Sequence, residues 1–133
     1  MTEPVIVVVD DDAAFLNFMQ EVLTEEGYHA IVLDSSDGVE VAVQRQPDLL
    51  ILDLRLEQAN SGWALLQRVR ADTTSRQLPI IVCSADGGFL NDQAELLQRM
   101  NCAHIEKPFD VDTLLTMIAG IIMPNTPKRA SDS

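Results

Sequence analysis

Apolar positions change their period repeatedly along this chain, and each change marks an element. Pro4 to Val9 is an unbroken, mostly β-branched run, the pattern of a strand buried on both faces. Ala14, Phe15, Phe18, Met19, Val22 and Leu23 then recur at helical spacing, and Gly27 closes that helix. His29 to Leu33 reads as a second strand. Val39, Val41, Ala42 and Val43 open a shorter helix that stops before Pro47. Asp48 to Leu52 is the most apolar strand, and Trp63, Leu65, Leu66 and Val69 form one face of a third helix behind an Asn60-Ser61-Gly62 turn. Leu78 to Cys83 predicts a fourth strand and Phe89 to Met100 a fourth helix, closed by Asn101, with Gly87-Gly88 as a flexible loop before it. Ala103 to Glu106 is a short fifth strand, and Asp110 caps a fifth helix reaching about Met123.

Strand and helix therefore alternate throughout residues 1–123, with no hairpin signal and no internal repeat. Such alternation predicts a parallel sheet covered by helices on both faces, and right-handed crossovers make it a doubly wound α/β fold. Residues 124–133, PNTPKRASDS, are polar and without periodicity: a disordered tail or the first stretch of a linker.

With 133 residues the chain is expected to form one domain with a substantial core. No apolar run approaches the roughly 18–20 residues a bilayer crossing needs. The start, MTEPVIVVVDDD, lacks a basic segment before its apolar stretch, so no secretory signal and a cytoplasmic location are expected. Nine Lys and Arg against 21 Asp and Glu give a net charge of −12, which speaks against nucleic acid as a direct partner. Cys83 and Cys102 lie in or beside apolar segments without C-x-x-C spacing and read as reduced core residues.

Ligands of an open parallel sheet bind beyond the carboxyl ends of its strands. The first strand runs into Asp10-Asp11-Asp12, the third ends at Asp53, the fourth at Ser84 and the fifth at Lys107-Pro108. Each has a plain reading: a solvated turn with Asp12 as helix cap, a strand terminus, a loop hydroxyl, a turn dipeptide. Together they bring carboxylates, a hydroxyl and an ammonium to one rim. Crowded carboxylates repel, and one would normally keep its proton unless a cation intervenes. Three carboxylates, one lysine and one dication sum to zero, and oxygen-only ligands suit Mg²⁺. Asp53 could then act as a carboxylate nucleophile on phosphorus, with Lys107 and Ser84 on two phosphoryl oxygens.

The segments VVVDDD, LLILDL, VCSA and EKPF, in that order over residues 4–123, resemble the CheY-like receiver domain of bacterial two-component response regulators. The resemblance implies a flavodoxin-like sheet of order 2-1-3-4-5 with five helices. It makes Asp53 the phosphoacceptor and Asp11 a direct Mg²⁺ ligand, with Asp53 also on the metal and Asp10 acting through water. It gives the backbone carbonyl of Arg55 to the same coordination sphere. Ser84 becomes the switch hydroxyl, Lys107 the phosphate-binding lysine in a cis bond to Pro108, and His104 the residue at the aromatic switch position. His104 departs from the usual Tyr or Phe, and a solvent-facing histidine is the alternative. Arg55 and Asp86, two residues beyond Asp53 and Ser84, are expected to pair over the phosphoryl group and modulate its hydrolysis. The loop Glu57-Gln58-Ala59-Asn60-Ser61-Gly62 lacks the family's proline and is one residue longer.

The implied partners are a sensor histidine kinase or phosphotransfer protein upstream. A downstream protein or a second copy would bind the surface of helix four, strand five and helix five, where helix five is apolar on nearly every face. With about ten residues after helix five, a single-domain messenger or relay is expected, unless the chain is part of a longer protein. A haloacid-dehalogenase-type phosphatase would need a second aspartate at position 55, which is Arg, and a cap domain. A flavodoxin would need a Ser/Thr/Gly phosphate loop where Asp10-Asp11-Asp12 stands. A receiver fold kept only as an interaction scaffold is the remaining alternative. The expected activity is self-phosphorylation and self-dephosphorylation, with no enzymatic turnover of an external product.

Overall fold

The computed structural model describes residues 3–54 and 61–122. Five strands alternate with five helices: β1 (Val5–Val9), α1 (Ala13–Glu25), β2 (His29–Leu33), α2 (Val39–Gln44), β3 (Leu49–Asp53), α3 (Ser61–Ala71), β4 (Ile80–Ser84), α4 (Gly87–Arg99), β5 (Cys102–Glu106) and α5 (Val111–Ile122). All pairings are parallel, and the order is β2-β1-β3-β4-β5, as the sequence resemblance implied. The reversal of order lies at β1 and β3, so the crevice beyond their carboxyl ends is the natural ligand position.

Alternate side chains of the central strands feed two separate cores. Val7, Val9, Leu50, Leu52, Ile80 and Val82 pack with Val39 and Val43 of α2, Leu65, Leu66 and Val69 of α3, and Leu90 and Leu97 of α4. Ile6, Val8, Leu49, Ile51, Ile81 and Cys83 face the other way, against Leu16, Met19 and Leu23 of α1 and Leu114 and Ile118 of α5. Burial on both faces is why these strands are uninterrupted hydrophobic runs.

The ends of the elements are set by local chemistry. Asp12 caps α1 through the N–H groups of Ala14 and Phe15, and Gly27 follows its end at φ +90°, where a Cβ is disfavoured. Asn101 takes the left-handed conformation after α4, at φ +62°. Several boundaries differ from expectation: β1 starts at Val5 rather than Pro4, α3 already at Ser61 within the expected turn, and β5 at Cys102 rather than Ala103. Proline has no N–H to continue a ladder, so β4 starts at Ile80, although the Pro79 carbonyl still accepts from Leu50 N–H at 3.0 Å. Asp48 precedes β3 and its carboxylate accepts from Val5 N–H at 2.7 Å, tying the starts of two strands together. Gly87 and Gly88 are not a loop but the first turn of α4, because Asp86 accepts from Phe89 N–H at 2.9 Å and caps the helix ahead of them.

At the edge of the sheet remote from the strand ends, Arg70 of α3 reaches across to the end of α4. It donates to the carbonyls of Met100, Asn101 and Ser75 at 2.7, 3.2 and 3.3 Å. The last carbonyls of a helix lack intrahelical donors, and the guanidinium supplies them.

Ile51 is almost completely buried at the centre of the sheet, whereas Val41 is 60% exposed. Urea denaturation is expected to show Ile51→Ala losing about 2–5 kcal/mol. Val41→Ala should stay within about 0.5 kcal/mol of the unsubstituted protein.

Candidate functional site

Four strand ends converge on one rim. β1 delivers Asp10, which is buried; its N–H donates to Leu33 carbonyl and its Oδ1 accepts from Asp12 N–H at 2.9 Å. Asp11 follows and is exposed. β3 delivers Asp53, also buried. Beyond β5, Lys107 N–H donates to Ser84 carbonyl at 2.8 Å, and the Lys107–Pro108 bond is cis. The Lys107 ammonium donates to Asp10 and to Asp53, the latter at 3.3 Å. Asp10, Asp11 and Asp53 each offer a carboxylate oxygen, and these oxygens lie within 4.8 Å of one another.

Position 62 is held by close approach. A Cβ there would come 2.2 Å from the Asp53 carbonyl oxygen and 2.6 Å from Leu54, so only glycine lets the start of α3 lie against the end of β3. Ser84, buried at the end of β4, accepts from Asp86 N–H through its hydroxyl at 3.0 Å. Asp86 is the cap of α4. Arg55 lies outside the described residues, as do its expected carbonyl contribution, its pairing with Asp86 and most of the loop before α3. His104 is exposed on β5.

Burial raises the Asp10 carboxyl above its ordinary value, and the nearby Asp53 charge adds to this, while Lys107 and the Asp12 N–H pull it back. Burial also works against the Lys107 charge, but the Asp10 hydrogen bond and the surrounding acidic groups outweigh it and raise Lys107. One ammonium thus serves two carboxylates: the ammonium is oversupplied with negative charge and Asp10 is left undercompensated. A hard cation among the three oxygens fits this donor set, since it would relieve the repulsion. Sequence reasoning placed Phe15 on a core face and missed that its ring lies under the Lys107 ammonium, 4.2 Å from Nζ to the centroid. Its position in the first turn of a helix that follows the acidic triplet was the available signal.

A family model described as response regulator receiver domain matches residues 6–119. The chain belongs to this family. The DNA-binding dual master transcriptional regulator RpaA of Synechocystis is 31% identical over 120 residues, covering 90% of this chain and 49% of the relative. The response regulator ArlR of Staphylococcus aureus is 30% identical over 128 residues, covering 96% and 56%. The chain thus spans about half the length of these curated relatives. Among solved structures, a sensor protein from Polaromonas is 25% identical with a TM-score of 0.78, covering 90% of this chain and 95% of that one. The receiver domain of a Francisella response regulator shares the fold with a TM-score of 0.80 at 21% identity, covering 93% and 100%. The BeF3-activated receiver domain of nitrogen regulatory protein C does so at 0.75 and 23%, covering 95% and 99%. A receiver of two-component signalling accounts for the carboxylate–lysine rim, and among the described residues no helix is long and apolar enough to cross a membrane.

Two predictions follow from the ionisable groups. Because the Asp10 carboxyl is raised, the folded state binds its proton more tightly than the unfolded chain. That stability is present at low pH and lost as pH rises through the raised value. Denaturation in a chelating buffer between about pH 4 and 7 is expected to show this decline, and Asp10→Asn to remove that part of it. Burial pushes the Cys83 thiol up to about 12 and raises Cys102 as well. Mass spectrometry after iodoacetamide treatment at about pH 8 should find neither cysteine modified in the folded protein and both modified in denaturant.

Proposed function

We propose that this receiver accepts a phosphoryl group on Asp53 from a phosphohistidine of a sensor kinase or phosphotransfer protein. The observation that carries this reading is the Lys107 ammonium bridging Asp10 and Asp53 beside a third carboxylate, Asp11. An Asp53 carboxylate oxygen attacks phosphorus. An O–P bond forms as the donor's P–N bond breaks, and the electron pair of that bond goes to the imidazole nitrogen. In hydrolysis, water oxygen bonds to phosphorus and the acyl O–P bond breaks, returning the carboxylate.

Asp11 and Asp53 would hold Mg²⁺ directly, Asp10 through water and Arg55 through its backbone carbonyl. Bound there, the ion would offset the carboxylate charge and balance that of the arriving phosphoryl oxygens. Lys107 would meet a second phosphoryl oxygen, and the Ser84 hydroxyl a third after turning from Asp86 N–H. That rotation would vacate space for His104 to turn inward from its exposed position on β5. The resulting change is read on α4, β5 and α5 by a downstream protein or a second copy of this chain. Support for that surface comes from α5, where Leu115, Met117, Ile121 and Ile122 are only partly buried by the protein's own core. The two free cysteines accord with a reducing, cytoplasmic setting.

Intact mass spectrometry after incubation with Mg²⁺ and acetyl phosphate tests the proposal. One added phosphoryl group is expected in the unsubstituted protein, and none in Asp53→Asn or when the metal is chelated. No added mass, together with no beryllofluoride binding, would turn the reading to an interaction scaffold.

A further inference from the structure

Asp12 accepts from the N–H groups of Ala14 and Phe15, at 3.0 and 3.3 Å, and this fixes the first turn of α1. That turn carries the Phe15 ring to the rim, where the Lys107 ammonium sits over its face, 4.2 Å from the centroid. The ring is braced in turn by Phe109, two residues beyond Lys107, in an edge-to-face contact with centroids 5.9 Å apart and planes at 80°. Lysine and ring therefore hold one another through both the ammonium and the loop that follows it.

A lysine side chain is a flexible four-carbon stem ending in a strongly hydrated charge, so its aim has to be supplied by its surroundings. Here the carboxylates of Asp10 and Asp53 supply part of it, yet both are committed elsewhere once a cation and a phosphoryl group arrive. An aromatic face attracts the ammonium without being a cation ligand and without adding negative charge to a site that already has three carboxylates. The attraction is also weakly directional, so the ammonium can shift from one oxygen to another while staying above the ring. An aliphatic side chain of similar size would fill the space and supply no such attraction.

We propose that Phe15 is a positioning residue for phosphotransfer, its ring face holding the Lys107 ammonium over the strand ends whichever oxygen the ammonium is bonded to. The role rests on the reading of Lys107 as the phosphoryl-binding lysine. It is read by comparing Phe15→Leu, which keeps apolar bulk, with Phe15→Tyr, which keeps the ring face. The limiting rate of phosphorylation by acetyl phosphate with Mg²⁺ is expected to fall about two- to thirtyfold in Phe15→Leu and to be restored in Phe15→Tyr. In the phosphate-free protein, the Lys107 ε-methylene protons should show an upfield ring-current shift by NMR. The shift should persist in Phe15→Tyr and vanish in Phe15→Leu. Urea midpoints establish that the variants are folded, and Phe15→Met replaces Phe15→Leu if the latter is not.

A Phe15→Leu protein phosphorylated at the unsubstituted rate overturns the proposal, as does an equal loss in Phe15→Leu and Phe15→Tyr. Failure of the unsubstituted protein to accept phosphate removes the acceptor reading itself and this role with it. That failure is distinguishable, because the ring-current shift reads the ammonium–ring contact without any phosphate.

Discussion

The Lys107 ammonium shared between Asp10 and Asp53 is the interaction around which this molecule is arranged. Two buried carboxylates at the ends of central strands are costly to ionise, and the lysine that offsets them comes from the far side of β4, beyond β5. For that reach to work, β5 must lie in register with β4, which it does through Ser84 opposite Glu106, with Lys107 N–H then bonded to the Ser84 carbonyl. The three central strands have no room for charge, since both faces are covered, and their polar side chains collect at the strand ends.

The same restriction explains how much was legible beforehand. Buried parallel strands have to be apolar runs, so the runs could be read directly and their first polar residues named as Asp10, Asp53 and Ser84. Asp12 as a cap and Asn101 as a left-handed terminus were also visible, because each depends on one residue and its immediate neighbours. What escaped had a weaker signal. The incorporation of Gly87 and Gly88 into α4 goes against their own helix propensity and follows from the neighbouring Asp86 cap, whereas the other two cases depend on contacts distant in sequence. Phe15 carries an apolar label that does not say whether it packs on a core or lies under an ammonium from residue 107. Arg70 had no part in the sequence reading, since its acceptors Met100 and Asn101 lie far along the chain at the α4–β5 connection.

The two ends of the sheet divide the work between them. At the strand ends, negative charge is concentrated, and burial there raises the Asp10 carboxyl above its ordinary value. At the opposite end, a positive charge is spent on backbone acceptors: Arg70 on three carbonyls, with the Ser75 hydroxyl on the Val69 carbonyl beside it. A protein that tolerates crowded negative charge at one edge gains from closure at the other, and the double-sided core between them separates the two.

The Arg70 clamp has a mechanical side as well. It fastens the end of α4 to α3, while the first turn is tied to the rim by a short chain: Ser84 hydroxyl to Asp86 N–H, then Asp86 carboxylate to Phe89 N–H. Between these two attachments α4 is also packed through Leu90 and Leu97, so the ends differ in how they are tied rather than in whether they are held. With 13 residues, α4 is about 20 Å long. If the Ser84 hydroxyl were redirected, a helix held in this way would be expected to move most beside the strand ends and least at Arg70.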